Sequence, residues 1–410
     1  MINQSTLFIV IFLATVLFTL PKKYLLLPYV AAACFIPTDQ RIVIADLDFT
    51  VLRILIVVGV LRLFLKGEQR VIIWNRFDKV VFAWAICHFI IYVILWSNMH
   101  ALIYACGEMF DLIGWYWLFR QRIHSWKDIQ FVIKVLSVCI LIMVPLIILE
   151  WLTGNNPFAI LGKIATHSRL ERVRCQGAFP HSIMFGLFWA TLTPLFFGMA
   201  MMDKNKLLYW GAVIASIFAV IASASSSPLL TLFAVLPIIG AFKWRQYTSV
   251  AWKIFLLSLV ALHIVMKAPV WHLIARFNIV TGSTGWHRYS LIDQAIKHFS
   301  EWALLGTRST EHWGWLHSDI TNQYILEGVR GGFVTLALFL IMIYMALKTL
   351  LRVSLQKHDQ QFLAWCIYVA VIGHCVAFFG VSYYGQIMMW WFLLLGIISF
   401  ITDSEKSGAV

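Results

Sequence analysis

The sequence predicts an all-α integral membrane protein of about 12 transmembrane helices, with a large helical loop on the outer side. Two observations support this fold class. Hydrophobic residues make up 61% of the 410 and only 12% are charged, whereas soluble domains carry about a quarter charged residues. The apolar residues are also grouped in runs close to the length of about 20 residues that a spanning helix needs. Residues 1–410 are therefore predicted to form a single polytopic membrane domain.

Thirteen apolar runs are candidates for spans, which predicts 12 or 13 crossings. The first run lacks a preceding basic segment and is followed by Pro21, Lys22 and Lys23, so we expect a retained helix and not a signal peptide. Because the first two runs are short, the side of the N-terminus stays open. The runs lie at residues 7–20, 23–36, 49–65, 79–97, 100–119, 129–152, 181–202, 207–224, 228–242, 250–266, 331–351, 362–380 and 385–401.

The net charge of +13 comes mainly from short gaps between the apolar runs. Every second gap is basic, as cytoplasmic loops are, and this pattern favours membrane orientation over nucleic-acid binding. The two long gaps, a first loop at 153–180 and a large loop at 267–330, alternate with the basic ones, so we expect them outside. The basic gaps contain Lys66, Arg70 and Arg76; Arg120, Arg122 and Lys127; Lys204 and Lys206; Lys243 and Arg245; and Arg352 and Lys357.

The cysteines and histidines predict no metal site. The seven cysteines form no CxxC pair, and all but Cys175 lie inside apolar runs. Four histidines of the large loop, His272, His287, His298 and His312, are irregularly spaced, unlike the ligands of common zinc sites. We therefore expect no disulfide framework and no metal site, and we assign no cofactor to the chain.

The large loop has its own helical pattern. Its stretch WHRYSLIDQAIKHF places apolar residues at helical spacing and carries Asp293 and Lys297 as an i, i+4 pair, which predicts an amphipathic helix. Further on, HSDITNQYILEGVRGG predicts a short helix that Gly328 or Gly331 closes before the next span begins.

Three segments, in order, resemble the landmarks of the O-antigen ligase and polymerase family of membrane glycosyltransferases. RVRCQGAFPHSIMFG matches an Arg shortly before a Gly and an aromatic residue, here Arg174, Gly177 and Phe179. GWHRYSLIDQAIKHFSEWALLGTRS matches an Arg that opens a helix, here Arg288, followed by a Leu-Gly turn. HSDITNQYILEGVRGG matches a His and a Ser, nine residues, a Gly, two residues and a Gly, beginning at His317.

This resemblance implies a glycosyltransferase C-like fold in the bacterial inner membrane, with the active site facing the periplasm. The implied reaction transfers a glycan from an undecaprenyl diphosphate-linked oligosaccharide to a sugar hydroxyl of an acceptor glycan, without nucleotide sugar or metal. The implied partners are these two substrates, the lipid bilayer and other polysaccharide-assembly proteins. Nucleic acid is not among them.

The residue types of the three landmarks suit this chemistry. Guanidinium groups stabilise a diphosphate leaving group bidentately, and Arg174 and Arg288 are the candidates, with Arg172 as a rival of Arg174. An imidazole can take a proton from the acceptor hydroxyl near neutral pH, and His317 is the candidate base of an inverting transfer. Trp313 and Trp315 are candidates for stacking on a sugar.

Two features depart from the family pattern. In a second alignment of the third landmark, Thr321 and Asn322 occupy the positions of the family's His and Asn. This alignment leaves Asp319 or another His as the candidate base, and Asn322 as a candidate acceptor contact. The middle of the chain has SASSSP where the family often has a serine-arginine pair.

Three functions remain in competition. FPHSIMFG and DITNQYI are more similar to exopolysaccharide polymerases than to lipopolysaccharide ligases, so we favour a polymerase, with a ligase that attaches glycan to lipid A-core as the alternative. A transporter or flippase is the second alternative, in which Glu108 and Asp111 form a proton relay inside an apolar run. Pairing of these two carboxylates with basic residues on another span is the structural explanation for them.

Overall fold

The computed structural model describes residues 3–44, 47–163, 172–276 and 285–406. These residues form 16 α-helices and one two-stranded hairpin, so the fold is almost entirely helical. The helices are α1 (Gln4–Thr19), α2 (Leu26–Phe35), α3 (Val51–Leu65), α4 (Arg76–Trp96), α5 (Met99–Arg120), α6 (Trp126–Thr153), α7 (Ser182–Met202), α8 (Lys206–Ala222), α9 (Ser226–Gly240), α10 (Thr248–Val265), α11 (Leu273–Arg276), α12 (Gly285–Lys297), α13 (Phe299–Trp302), α14 (Gln323–Leu355), α15 (Gln361–Phe378) and α16 (Gln386–Lys406). Parts of both predicted outer loops, 164–171 and 277–284, lie outside the described residues.

Each of the 13 predicted apolar runs coincides with a helix, and the protein is a multi-pass, membrane-embedded helical protein. Within the described ranges, seven helical segments are long and apolar enough to cross a membrane. One of the seven is the continuous segment Ser226–Val265, which joins α9 and α10. The helices α1 and α8 are apolar but shorter. The sequence predicts about 12 spans, whereas seven described segments meet these criteria of length and hydropathy.

The N-terminal part departs most from the predicted pattern. The run at 23–36 divides into a 3₁₀ turn, Lys22–Tyr24, and α2, which has only 10 residues. At 1.5 Å per residue, α2 is about 15 Å long, half the thickness of a bilayer core. After α2 comes an antiparallel hairpin of β1 (Arg41–Ile44) and β2 (Leu47–Thr50). The all-α prediction missed this hairpin, in which β-branched and aromatic residues such as Ile42 and Phe49 pair across the strands.

Polar contacts at one end of the bundle, which we call the loop end, place the N-terminus. Among the described residues, the loop end contains 154–163, 172–181, 266–276 and 285–322. The Asn3 side chain donates to the carbonyl of Ile160 at 3.1 Å, and the Gln40 side chain donates to the carbonyl of Gly162 at 2.9 Å. The start of α1 therefore lies beside the first long loop, at the same end of the bundle.

Charged contacts join residues of several short basic gaps at the other end of the bundle, which we call the basic end. Glu68 accepts from both Arg62 and Arg122, each at 2.9 Å. The Arg120 guanidinium pairs with Asp78 at 3.1 Å and with Asp403 at 2.8 Å. These residues come from segments that lie far apart in the chain, yet they meet at one end of the bundle. The alternation of basic and long gaps in the sequence therefore corresponds to the two ends of one bundle.

The helix α14 begins earlier than predicted and contains a kink at Gly332. Its N-cap is Asn322, and Gly332 has φ 68° and ψ −178°, a conformation essentially restricted to glycine. A Cβ at Gly332 would lie 2.3 Å from the carbonyl oxygen of Leu304. Gly332, and not Gly328 or Gly331, therefore separates the short helix from the span, because the backbone of the loop passes against it.

The amphipathic helix predicted in the large loop is confirmed as α12. Lys297 and Asp293 form the expected i, i+4 ion pair at 2.8 Å. The helix packs a small core at the loop end, which consists of Ala295, Trp302, Trp313 and Val329. This core joins α12 and α13 to the first part of α14.

Candidate functional site

Two neighbouring cavities lie at the loop end. The first has a volume of about 430 Å³ and lies between α3, α4, α5, the first part of α14 and the start of α16. The second has a volume of about 380 Å³ and lies beneath the loop 307–320. Leu326 and Arg330 line both cavities. One side of the first part of α14 therefore forms a wall that the cavities share.

The first cavity has a largely apolar lining with a few ionised groups. Phe89, Met109, Leu112, Trp115 and Met388 are among its lining residues. Such a lining suits a hydrocarbon chain, since it offers little to a polar ligand.

The ionised groups of the first cavity are paired. Asp111 accepts two hydrogen bonds from Arg53, at 2.8 Å from Nε and 2.7 Å from Nη2. Glu108 accepts from Arg330 at 3.1 Å and from the Tyr104 hydroxyl at 2.5 Å. Both carboxylates therefore pair with arginines on other helices, which is the structural explanation that the sequence left open.

A third carboxylate, Glu327, is buried at the shared wall. It accepts from the indole N–H of Trp84 at 2.8 Å and from the Gln323 side chain at 2.7 Å. His88 lies between Glu327 and Glu108, with ring nitrogens 3.8 Å and 3.9 Å from their oxygens. A buried charge is costly unless it is paired, so this network holds α4, α5 and α14 together around the cavity.

The second cavity is polar. Asp319, Arg308 and Glu311 line it, together with several hydroxyl side chains. The Arg308 Nε donates to the carbonyl of Leu95 at 2.7 Å, which fastens the loop to the end of α4. Asp319, the alternative candidate base, is exposed and lies in the cavity wall. Carboxylates and hydroxyls in a concave wall are suited to binding sugar hydroxyls.

His317 lies in a different position from Asp319. It is only 3% exposed, and its carbonyl accepts from the Thr310 hydroxyl at 2.5 Å. Its ring lies 5.6 Å from the ring of His287 and passes close to Gly314, where a Cβ would lie 2.8 Å from Nδ1. His317 is therefore held in a fixed position in the turn before Asp319.

The surroundings of His317 favour its neutral form. Burial lowers the pKa of His317 below its ordinary value of 6.5, and the neighbouring His287 lowers it further, while a hydrogen bond with the backbone of Trp313 acts in the opposite direction. A neutral imidazole at pH 7 can accept a proton, which is the property that a general base needs.

Arg174 lies where the N-termini of two helices meet. Its Nη2 donates to the Ser225 hydroxyl at 2.7 Å, and Ser225 is the N-cap of α9. The hydroxyl of Ser182, the first residue of α7, lies 3.4 Å from that of Ser225. Helix N-termini carry partial positive charge, so this place favours an anion. The serine-rich stretch SASSSP, which lacks the arginine of the family pattern, thus provides a partner for Arg174.

The turn that carries Arg174 is held by a buried carboxylate. The backbone N–H groups of Gln176 and Gly177 both donate to Glu150, at 3.0 Å. The N–H of Cys175 donates to the carbonyl of Ala222 at 3.0 Å, next to the start of α9. The three residues that directly follow Arg174 are therefore held in place by these contacts.

The other two arginine candidates differ in their surroundings. Arg172 is exposed, whereas Arg174 is half-buried. Arg288 is half-buried in the first turn of α12 and directly follows His287, whose Nε2 donates to the carbonyl of Leu316 at 3.0 Å. The structure thus brings the second and third landmarks together through His287 and His317, and it holds Arg174 on a separate element through Ser225.

The three candidate sugar contacts lie in contrasting positions. Trp313 is buried, stacks on His298 and donates to Glu301 at 3.1 Å, so these contacts give no support to a sugar platform there. Asn322 is 1% exposed and caps α14 by accepting from the N–H of Ile325 at 3.1 Å. Trp315 is 85% exposed and is the candidate with an open ring face.

Sequence reasoning missed several charged residues of the cavities. Glu327, Arg330 and Arg308 were assigned no role, although Glu327 and Arg330 stand in the apolar context LEGVRGG. Ionisable residues among apolar ones are costly and usually have a partner or a function, and this signal could have found them. Arg308 lies in a polar loop, where one charge gives no such signal.

Comparison with known proteins identifies no family: no family model matches the chain, and no curated protein matches it. The likeness to O-antigen ligases and polymerases therefore depends on the three sequence segments alone.

Proposed function

We propose that this protein is a glycosyltransferase that moves a glycan from an undecaprenyl diphosphate-linked donor to a sugar hydroxyl during assembly of a surface polysaccharide. The observation that carries the proposal is the pair of adjacent cavities, one apolar and one polar, that share Leu326 and Arg330. An apolar space at the level of the helices next to a polar space under the outer loop matches a substrate with a lipid tail and a sugar head.

The direction of the bundle in the membrane follows from charge. Cytoplasmic loops carry an excess of Lys and Arg, so the basic end faces the cytoplasm in our proposal. The loop end then faces the periplasm of a bacterial inner membrane. This orientation places both cavities where a lipid-linked glycan is available after its transfer across the membrane.

In the proposed reaction, arginines stabilise the leaving group. The bond between the anomeric carbon and the diphosphate oxygen breaks, and undecaprenyl diphosphate leaves with the electron pair. Arg174, at the N-termini of α7 and α9, and Arg288, at the N-terminus of α12, are suited to stabilise the developing charge. The half-buried position of Arg174 favours it over the exposed Arg172.

A base completes the reaction on the acceptor. The acceptor hydroxyl attacks the anomeric carbon from the face opposite the leaving group, so the configuration inverts, and its proton passes to His317. The lowered pKa of His317 supports this role. Asp319, which lines the polar cavity, is the competing base. Neither base requires a metal or a cofactor for this step.

The state of lipid-linked glycan in cells that lack this chain tests the proposed function. Accumulation of single lipid-linked repeat units is expected, because a missing polymerase leaves them unjoined. Long unattached chains would indicate the ligase instead. Normal lipid-linked and surface glycans would contradict both forms of the proposal.

A further inference from the structure

A cluster of two histidines and one glutamate lies outside the arginines and bases of the proposed reaction. Glu301 in α13 accepts from His298 Nδ1 at 2.6 Å and from His312 Nε2 at 2.8 Å. One ligand atom from each of the three residues lies within 4.8 Å of the others. The spacing of His298 and His312 appeared irregular in the sequence, but the fold brings both to one carboxylate.

The donor set suits a borderline transition metal. Two imidazole nitrogens and one carboxylate form a common three-residue ligand set for Zn²⁺, at about 2.0–2.2 Å from the ion. Ligand atoms around such an ion lie roughly 3.3 Å apart in tetrahedral geometry. The three ligand atoms already lie within 4.8 Å of one another, and an ion between them would replace the two hydrogen bonds from the imidazoles to the carboxylate.

Neighbouring groups orient the ligands as they do in metal sites. The Trp313 ring stacks on His298 with centroids 5.5 Å apart and an interplanar angle of 11°. The Trp313 indole N–H donates to Glu301 Oε2 at 3.1 Å. Hydrogen bonds from a surrounding residue to a ligating carboxylate fix its orientation and raise metal affinity. Trp313 belongs to the small core of the loop end, so the cluster lies against buried, packed side chains.

We propose that His298, Glu301 and His312 bind one divalent transition metal ion, such as Zn²⁺, which ties the loop before His317 to α13. Residues 298 and 301 lie at the junction of α12 and α13, whereas residue 312 belongs to the short 3₁₀ turn Glu311–Trp313. The ion would therefore add a link between two segments that the hydrogen bond from Trp313 to Glu301 already joins. Its role is to hold the loop in place, and it takes no part in the transfer reaction.

Metal binding to the purified full-length protein tests this inference directly. The protein should carry an affinity tag without histidines and be kept in detergent, with Zn²⁺ titrated against a coloured chelator. One equivalent is expected to bind tightly to the wild type. His312→Ala and Glu301→Gln are expected to weaken binding by at least about 100-fold, and Trp313→Phe by about 10-fold.

A matched control and a rescue make the result specific. His100→Ala removes an exposed histidine from the start of α5 and is expected to leave binding unchanged. His312→Cys keeps a zinc ligand at the same place and is expected to restore binding that His312→Ala loses. Co²⁺ bound to the wild type should show the visible absorption of a tetrahedral site.

Thermal stability gives a second measurement. An ion that binds only the folded protein raises its melting temperature, so Zn²⁺ should stabilise the wild type and not a His298→Ala, His312→Ala double variant. Equal Zn²⁺ affinity in the wild type and the double variant would overturn the inference and leave the cluster as an ordinary hydrogen-bonded group. These readouts do not depend on glycosyl transfer, so they stand apart from the proposed function.

Discussion

The imidazole rings of His287 and His317 lie 5.6 Å apart, although they belong to different segments of the large loop. This contact places the N-terminal turn of α12, with Arg288, beside the candidate base. A cation and a proton acceptor are thereby held on neighbouring elements, which is the arrangement that the proposed transfer reaction uses.

The first prediction separates the two candidate bases. His317→Ala is expected to lower the transfer rate on the order of 10²- to 10⁴-fold while donor binding is kept, because only proton removal is lost. Asp319→Ala is expected to have a small effect. The rates should be measured with purified protein and a lipid-linked donor. A nearly silent His317→Ala beside an inactive Asp319→Ala would transfer the base assignment to Asp319.

The second prediction concerns pH. Burial lowers the pKa of His317, so in the folded protein this ring takes up a proton at a lower pH than an ordinary histidine, whose pKa is 6.5. Transfer should therefore be above half-maximal at pH 6.5 and decline as the pH falls further, as the ring takes up a proton. The same protonation favours the unfolded state, in which the pKa is higher, so stability also declines below pH 6.5. In His317→Asn, the acid limb of the residual rate should disappear, and an unchanged limb would assign it to another group.

The third prediction concerns the arginines. Arg174→Lys and Arg288→Lys are each expected to lower kcat on the order of 10²-fold, because a point charge does not replace a planar guanidinium at a diphosphate. Arg172→Lys is the matched control, since Arg172 is exposed, and it should stay within a few-fold of the wild type. Melting temperatures of all variants should be compared. Full activity with lysine at both 174 and 288 would reduce these residues to contacts with lipid headgroups.

The fourth prediction concerns topology. Cysteines placed at Asn155 and Ser309, both exposed at the loop end, should react with an impermeant thiol reagent in intact cells. A cysteine at Gln246, exposed at the basic end, should react only after the membrane is opened. The exposed natural Cys106 should first be replaced by serine. Labelling of the Gln246 position alone in intact cells would invert the orientation and place both cavities on the cytoplasmic side.

The fifth prediction concerns the kink in α14. Gly332→Ala should destabilise the protein, because its backbone conformation costs other residues about 1–3 kcal/mol and the new Cβ would lie 2.3 Å from the Leu304 carbonyl oxygen. Gly240→Ala is the control, since a Cβ there meets no atom within 4 Å and the backbone is already helical. The melting temperature should fall in the first variant only. An equally stable Gly332→Ala would mean that the loop backbone yields at this point.

The apolar runs by themselves determined the helices. In lipid, a segment must satisfy its backbone hydrogen bonds internally, so run length alone indicates a helix, and all 13 runs contain one. The local spacing of polar and apolar residues was equally sufficient for α12. Such signals succeed because the interactions behind them lie within a few residues of each other.

The tertiary structure decided what depends on contacts between distant residues. Arg330 pairs with Glu108 across 222 positions of the chain, and no local pattern in either segment specifies its partner. The same holds for His298 and His312, which meet at Glu301, and for Arg174, which meets the hydroxyl of Ser225. Period and composition report which face of an element is apolar, whereas cavities and polar clusters arise from the packing of several elements, so only the assembled fold places these side chains together.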